Sequence, residues 1–130
     1  MGEAFFPYRR FSHEVLGEVV VPIVEAVLEN TATIKVCVIM DTGAPISIFP
    51  KSICELLGLR YEDGKETSLR SATGERVPIR VHQINIRIDE IRFRARVGFS
   101  ELEEIPHILG RLDVFENAKV RFERWSEIHS

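Results

Sequence analysis

One aspartate stands at the end of an apolar run, in the stretch "CVIMDTGAPISIF" that begins at Cys37. An unpaired carboxylate is costly to bury, so an aspartate in this position either lies at the surface or serves chemistry. From the residues alone, Asp41 could act as a general base, ligate a metal ion or accept hydrogen bonds in a turn. The flanking residues favour display of the acid, because Gly43 allows close backbone approach and Ala44 leaves space beside the carboxylate.

A metal site would need further ligands, and the sequence places none near Asp41. No second carboxylate stands beside this loop, and no two histidines have a spacing typical of metal ligands. The histidines are His13, His82, His107 and His129. We therefore predict neither a metal ion nor an organic cofactor.

The chain has 130 residues, the length of one domain, and we predict a single domain over 1–130 with its core at about 18–123. Lysine plus arginine number 17 against 20 for aspartate plus glutamate, which gives no reason to expect nucleic acid or an acidic membrane as a partner. No apolar stretch has the length of a membrane span or of a secretory signal. We expect a cytoplasmic protein in which Cys37 and Cys54 are buried, reduced thiols.

The residues before Asp41 predict two strands. Residues 18–28 and 33–40 are rich in β-branched side chains and are joined by a short, turn-like segment. Pro22 cannot donate a hydrogen bond to a sheet, which predicts an edge or a bulge near that residue. Glycine and proline at 41–45 end this run of apolar residues and indicate a loop, so Asp41 is predicted at the tip of a buried strand.

The rest of the chain predicts further short elements. Residues 50–58 predict a short helix with Pro50 at its first position and Gly58 at its left-handed end. Two hairpins follow, one with its tip at 72–75 and one within 83–99. We predict a helical turn at 113–117 and a last strand at 119–122. The fold class is mainly β, a small closed barrel or sandwich of about seven strands with one or two short helices.

The loop around Asp41 resembles that of the retropepsin-like aspartic proteases, a family of retroviral and related cellular and bacterial enzymes. The sequence "ATGER" falls where this family has its substrate-covering flap. The sequence "HILGR" is similar to the second family hallmark, two apolar residues and a glycine that support the catalytic loop. The resemblance covers residues 19–122 and implies a single-lobe aspartic protease domain.

The resemblance also implies the activity of an aspartic endopeptidase. Such enzymes need two facing aspartates and this chain has one Asp-Thr-Gly, so a homodimer is implied. Two copies of Asp41 would share one proton and activate a water molecule, with a bell-shaped, acid-leaning dependence on pH. By the same resemblance, Thr42 hydrogen-bonds across the dimer, and Gly43 accepts a hydrogen bond from the backbone of an extended peptide substrate.

Two more groups of residues receive roles from the resemblance. The flap would close over the peptide and exclude water, and Glu75 within it can also be interpreted as a solvated charge. The flap residues are Ala72, Thr73, Gly74 and Glu75. The support residues would pack behind the catalytic loop, which includes Ala44. They are Ile108, Leu109 and Gly110.

The sequence departs from the retroviral pattern at Pro45. Retroviral enzymes usually carry a second aspartate there, which pairs with the arginine that corresponds to Arg111. We therefore expect Arg111 to bind another acid or a backbone carbonyl. The departure supports an alternative interpretation, a catalytically silent protease-like module that dimerises or binds peptides.

Overall fold

The computed structural model describes residues 2–13, 17–70 and 73–123. The strands are β1 (Gly2–His13), β2 (Gly17–Glu29), β3 (Thr33–Met40), β4 (Ser47–Pro50), β5 (Lys65–Arg70), β6 (Arg76–Ile88), β7 (Ile91–Ser100), β8 (Ile108–Leu109) and β9 (Ala118–Glu123). Within the described residues there is also one α-helix, α1 (Lys51–Leu56), and a single 3-10 turn at Tyr61–Asp63.

Six of the strands form a closed ring. Their order around the ring is β6, β7, β4, β8, β3 and β2, and β2 pairs again with β6. The pairings are antiparallel except for β3 with β8 and β4 with β7, which are parallel. Strand β5 extends the sheet beyond β6, while β1 pairs with β2 and β9 pairs with β1. The closed ring confirms the predicted mainly β, barrel-like fold.

The core lies inside this ring and follows the two-residue period of the strands. Val36, Val38 and Met40 point inward from β3, and every second residue from Ile84 to Ile88 does the same from β6. Phe49 and Phe99 fill the centre, with ring centroids 6.3 Å apart. A barrel of this size is filled by side chains. The run of apolar residues before Asp41 therefore ends inside the core.

The helix begins one residue later than predicted. Pro50 keeps an extended backbone, with φ −70° and ψ 157°, and therefore precedes α1 as its N-cap. Gly58 has φ +80°, the left-handed conformation expected after a helix. Residues 112–117 form consecutive turns, so the helical turn predicted at 113–117 is wrong.

The structure adds strands that the sequence did not predict. Strand β1 comes from an N-terminal sequence that lacks a clear alternation of apolar and polar residues.

Strand β2 continues through Pro22 without a break. Its pairing with β1 ends at Pro22, and its pairing with β3 begins at the next residue, Ile23. The missing N–H of the proline therefore falls where the strand changes partner.

The two cysteines differ in exposure. Cys54 is buried and Cys37 is exposed, and neither forms a disulfide. The prediction of a buried thiol is thus wrong for Cys37, because its side chain alternates outward from β3 between the buried Val36 and Val38. In the described part of the chain, no helix combines the length and the apolar character needed to cross a membrane.

Candidate active site

Asp41 lies immediately after β3, where the chain leaves the barrel. One carboxylate oxygen, Oδ1, accepts a hydrogen bond from the backbone N–H of Gly43 at 2.9 Å. The carbonyl oxygen of Asp41 accepts another from the N–H of Ala44 at 3.1 Å, which closes a tight turn. Met40 is fully in the core, whereas Asp41 is half-buried. The turn thus directs the acid out of the core and fixes the orientation of its carboxylate.

A segment distant in sequence holds this loop in place. Three backbone hydrogen bonds join residues 41–45 to residues 109–112. The donor and acceptor pairs are Asp41 N to Leu109 O at 3.0 Å, Arg111 N to Ala44 O at 2.9 Å, and Leu112 N to Pro45 O at 3.0 Å. The structure therefore places the predicted support residues directly against the loop that carries Asp41.

Gly110 allows this close approach. A Cβ atom at this position would lie 2.5 Å from both the carbonyl carbon and the carbonyl oxygen of Ile46, and 2.8 Å from Ala44 O. Real Cβ atoms do not come this close to backbone atoms, and the backbone of a fixed loop cannot move aside cheaply. Glycine is therefore required at Gly110 by contact with the loop and not by its own backbone angles.

A cleft of about 750 Å³ opens above Asp41. Leu69, Val77 and Ile79 line one wall, from the hairpin of β5 and β6. Leu102 and Ile105 also line the cleft, from the loop that follows β7. An open, mostly apolar cleft with a carboxylate in its lining suits an extended segment with apolar side chains.

The predicted flap is the far end of the same hairpin. Thr73, Gly74 and Glu75 are exposed, and Gly74 has φ +90° with open space around it. Ala72 lies outside the described residues. The register of β5 with β6 places Leu69 opposite Val77, so these residues share the face that lines the cleft.

Sequence reasoning missed most of the cleft walls. Ile79 lines the cleft, whereas Ile46 is buried and is not among the lining residues. Leu102 was missed although it is 55 % exposed, one of the most exposed large apolar side chains described. The sequence did contain a signal for these two residues, because Leu102 and Ile105 stand among glutamates in "SELEEIP". A loop that contacts only water would need no apolar residues, so their presence indicates a binding surface.

A family model for aspartyl proteases matches residues 24–111, more than half of the chain. This chain belongs to the aspartyl protease family. The matched region runs from β2 to the residue after Gly110, so it contains both Asp41 and the segment that holds its loop. No curated protein matches the sequence.

Solved structures of aspartyl proteases share the fold. An inhibitor complex of the EIAV protease is 19% identical, with a TM-score of 0.55, and the match covers 78% of this chain and 88% of that one. A retropepsin-like aspartic protease from Rickettsia conorii is 18% identical, with a TM-score of 0.58, and the match covers 84% and 86% of the two chains. The fold is therefore retropepsin-like, as the sequence predicted.

Within this aspartyl protease fold, the side chain of Arg111 is exposed. It forms no ion pair or hydrogen bond with the described residues of the single chain, and its contact with an acid or a carbonyl stays a prediction. Pro45 is exposed beside the cleft, and only its carbonyl oxygen is engaged, by Leu112 N.

Another ion pair anchors the turns that follow Arg111. Asp113 accepts hydrogen bonds from the guanidinium of Arg96 at 2.8 and 3.0 Å and from the Arg96 backbone N–H at 2.9 Å. The guanidinium and these hydrogen bonds lower the pKa of Asp113 below the ordinary value of 3.8. Asp113 thus ties the segment that holds the Asp41 loop to β7.

We predict that Asp113→Asn destabilises the protein near neutral pH and not in strong acid. A carboxyl whose pKa is lowered by folding stabilises the folded state above its unfolded pKa, and this contribution is lost as the pH falls through the lower folded pKa. The loss should be modest because Arg96 is half exposed. Urea unfolding of both proteins at neutral pH and well below pH 3.8 would measure it, and an equal difference at both pH values would contradict the prediction.

A second chemical pair lies outside the cleft and is structural. Cys54 Sγ lies 4.0 Å from His82 Nε2, a pairing that could suggest a thiolate nucleophile. Burial raises the pKa of the Cys54 thiol to about 11, so it is protonated at neutral pH. His82 Nε2 also lies 3.1 Å from the carbonyl oxygen of Tyr61, which can accept a hydrogen bond from it. The pair therefore packs the 3-10 turn against the barrel.

Metal chemistry finds no support in the described residues. Nowhere within them do three histidine, cysteine, aspartate or glutamate side chains lie close enough to hold a metal ion. Burial lowers the pKa of His107, whose ring packs against Phe49 with centroids 5.8 Å apart.

Proposed function

We propose that this protein is a retropepsin-type aspartic endopeptidase that acts as a homodimer. One observation carries the proposal: a held loop presents the Asp41 carboxylate in the lining of an open, mostly apolar cleft. Membership of the aspartyl protease family and the retropepsin-like fold support it. The substrate is an extended peptide segment with apolar side chains next to the bond that is cleaved.

A dimer is needed because one carboxylate cannot serve as both the general base and the general acid. Each chain contributes one Asp-Thr-Gly, and two carboxylates brought together share one proton because both cannot ionise at close range. The ionised carboxylate takes a proton from water, and the water oxygen attacks the peptide carbonyl carbon. The protonated partner gives its proton to the carbonyl oxygen, which yields a tetrahedral diol.

The diol then collapses and breaks the C–N bond. The leaving nitrogen takes a proton from the carboxyl that received it from water, and a hydroxyl proton of the diol returns to the other carboxylate. The pair again shares one proton when the acid and amine products leave. Closure of the flap at Thr73, Gly74 and Glu75 would exclude bulk water during these steps.

The proposal is tested by how activity depends on protein concentration. A mixed peptide library is incubated with the protein between about pH 3 and about pH 8. If two chains form one site, activity per chain rises with concentration and then levels off as dimers form. A pepstatin-type inhibitor should abolish the cleavage. Activity per chain that is constant while the protein sediments as a monomer would contradict the proposal.

One observation favours the alternative of a protease-like peptide-binding module. Pro45 stands where the retroviral pattern has a second aspartate, so the acid that would pair with Arg111 and help to hold substrate is missing. In that case the protein binds library peptides without cleaving them at any pH. Mass spectrometry of the incubated library separates the two functions, because only an endopeptidase produces new peptide termini.

A further inference from the structure

Ser47, the first residue of β4, is a polar side chain in the core. It has no exposed surface, and its hydroxyl oxygen accepts a hydrogen bond from the backbone N–H of Gly110 at 3.0 Å. A buried hydroxyl is retained only where it is hydrogen-bonded, and here its partner lies 63 residues away in sequence. The bond therefore links the strand that follows the catalytic loop to the segment that holds it.

The Ser47 hydroxyl supplies a hydrogen bond between β4 and the segment after β8, where the backbone pairing of the two strands has ended. Strand β8 pairs with β4 at one position, Ile48 with Ile108, and the chain then passes so close to Ile46 that no Cβ fits at Gly110. The N–H of Gly110 would be buried without an acceptor if Ser47 lacked its oxygen. Among the side chains that the structure describes, Ser47 is the one that bonds to the backbone of residues 109–112.

The bond reaches Asp41 through a single rigid unit. The carbonyl oxygen of Leu109 and the N–H of Gly110 belong to the same planar peptide group. The oxygen accepts from Asp41 N at 3.0 Å and the N–H donates to Ser47 Oγ at 3.0 Å. This peptide is thus held at both ends, and any rotation of its plane that followed the loss of one bond would weaken the other.

We propose that Ser47 is a positioning residue for catalysis, which sets the orientation of the Asp41 loop through the peptide group between Leu109 and Gly110. The kinetic part of this inference rests on the proposed endopeptidase function. Removal of the hydroxyl shifts the carboxylate relative to its partner across the dimer and relative to the attacked carbonyl. Small displacements of a reacting group lower the turnover number more than they weaken substrate binding.

The test compares Ser47→Ala, which removes the acceptor, with Ser47→Thr, which keeps the hydroxyl, and with Ser47→Cys, which offers a weaker acceptor. We expect Ser47→Ala to lower kcat by about tenfold or more with little change in KM. Ser47→Thr should restore most of kcat and Ser47→Cys should fall between. The control is Ile86→Val, a loss of one methylene group at 0 % exposure in the barrel, which destabilises the protein without touching this peptide.

A second readout does not depend on activity. The ¹³C chemical shift of the Asp41 carboxyl is followed through a pH titration in each variant, together with hydrogen exchange of the Gly110 amide. We expect a displaced titration and faster exchange in Ser47→Ala, both reversed in Ser47→Thr. If the wild-type protein cleaves no peptide, the proposed function fails, and the titration still decides the role of Ser47.

Three results would overturn the inference. The first is an Asp41 titration that is identical in the wild type and Ser47→Ala. The second is a loss of kcat in Ile86→Val equal to that in Ser47→Ala, which would mark a general effect of stability. The third applies if Ser47→Ala does not fold, in which case Ser47→Thr is compared with Ser47→Cys. Equal kcat values and equal Asp41 titrations in these two variants would then overturn the inference.

Discussion

Replacing Asp41 by asparagine is expected to lower peptide cleavage by about a thousandfold or more. The amide neither takes a proton from water nor gives one to the carbonyl oxygen, and in a homodimer the change removes both members of the pair. The fold should persist, because asparagine has nearly the same shape and its side-chain oxygen can still accept from Gly43 N. Cleavage rates and thermal unfolding of the two proteins measure both parts of this prediction.

Asp89→Asn is the matched control for this change. Asp89 is an exposed aspartate in the turn between β6 and β7, with φ +52°, a conformation that asparagine also adopts readily. This variant removes the same charge at a distance from the cleft and should cleave as the wild type does. Residual cleavage by Asp41→Asn at the level of Asp89→Asn would show that another group performs the chemistry.

The second large effect is expected in stability. Gly110→Ala should lower the free energy of unfolding by about 3 kcal/mol, because the new methyl group would stand 2.5 Å from the backbone of Ile46 and 2.8 Å from Ala44 O. Relief of this contact requires the segment 109–112 to withdraw from the Asp41 loop. Cleavage should therefore fall as well, even at temperatures where the variant is fully folded. Urea unfolding and single-turnover kinetics are the measurements.

Gly74→Ala separates this steric effect from the ordinary effect of alanine at a glycine position. A Cβ at Gly74 meets no atom within 4 Å, but its φ of +90° is unfavourable for alanine. The cost should be about 1 kcal/mol, well below that at Gly110. If the two variants lost equal stability, the close contact at Gly110 would not be the cause of its requirement for glycine.

The parts of the site that depend on local sequence patterns could be predicted from the sequence. An apolar, β-branched run ending at Asp41, followed at once by Gly43 and Pro45, marks an acid at a strand end without any tertiary information. The flap arms were predictable for the same reason, since alternation flanks a turn near Gly74. The apolar-apolar-glycine segment ending at Gly110 was recognised by resemblance, and its physical reason, a backbone too close for a Cβ, exists only in three dimensions.

The errors have two sources. Cys37 looked buried because its neighbours are apolar, but the two-residue period of β3, a local pattern, puts it on the outer face. The other errors came from contacts that the sequence does not encode locally. The text around Asp113 has helix-forming residues, yet the ion pair with Arg96 and a positive φ hold it in turns. Strand β1 is specified by its partners, β2 and β9, and not by its own pattern.

The wall of the barrel and the arm of the flap are one continuous strand. At Arg80 and Val81, β6 pairs on one side with β5, the other flap arm, and on the other side with β7 in the barrel. No loop separates the two roles, so the hairpin is not a lid on a hinge. We expect the hairpin and the barrel wall to move together as one sheet, because the same hydrogen-bonded strand runs through both.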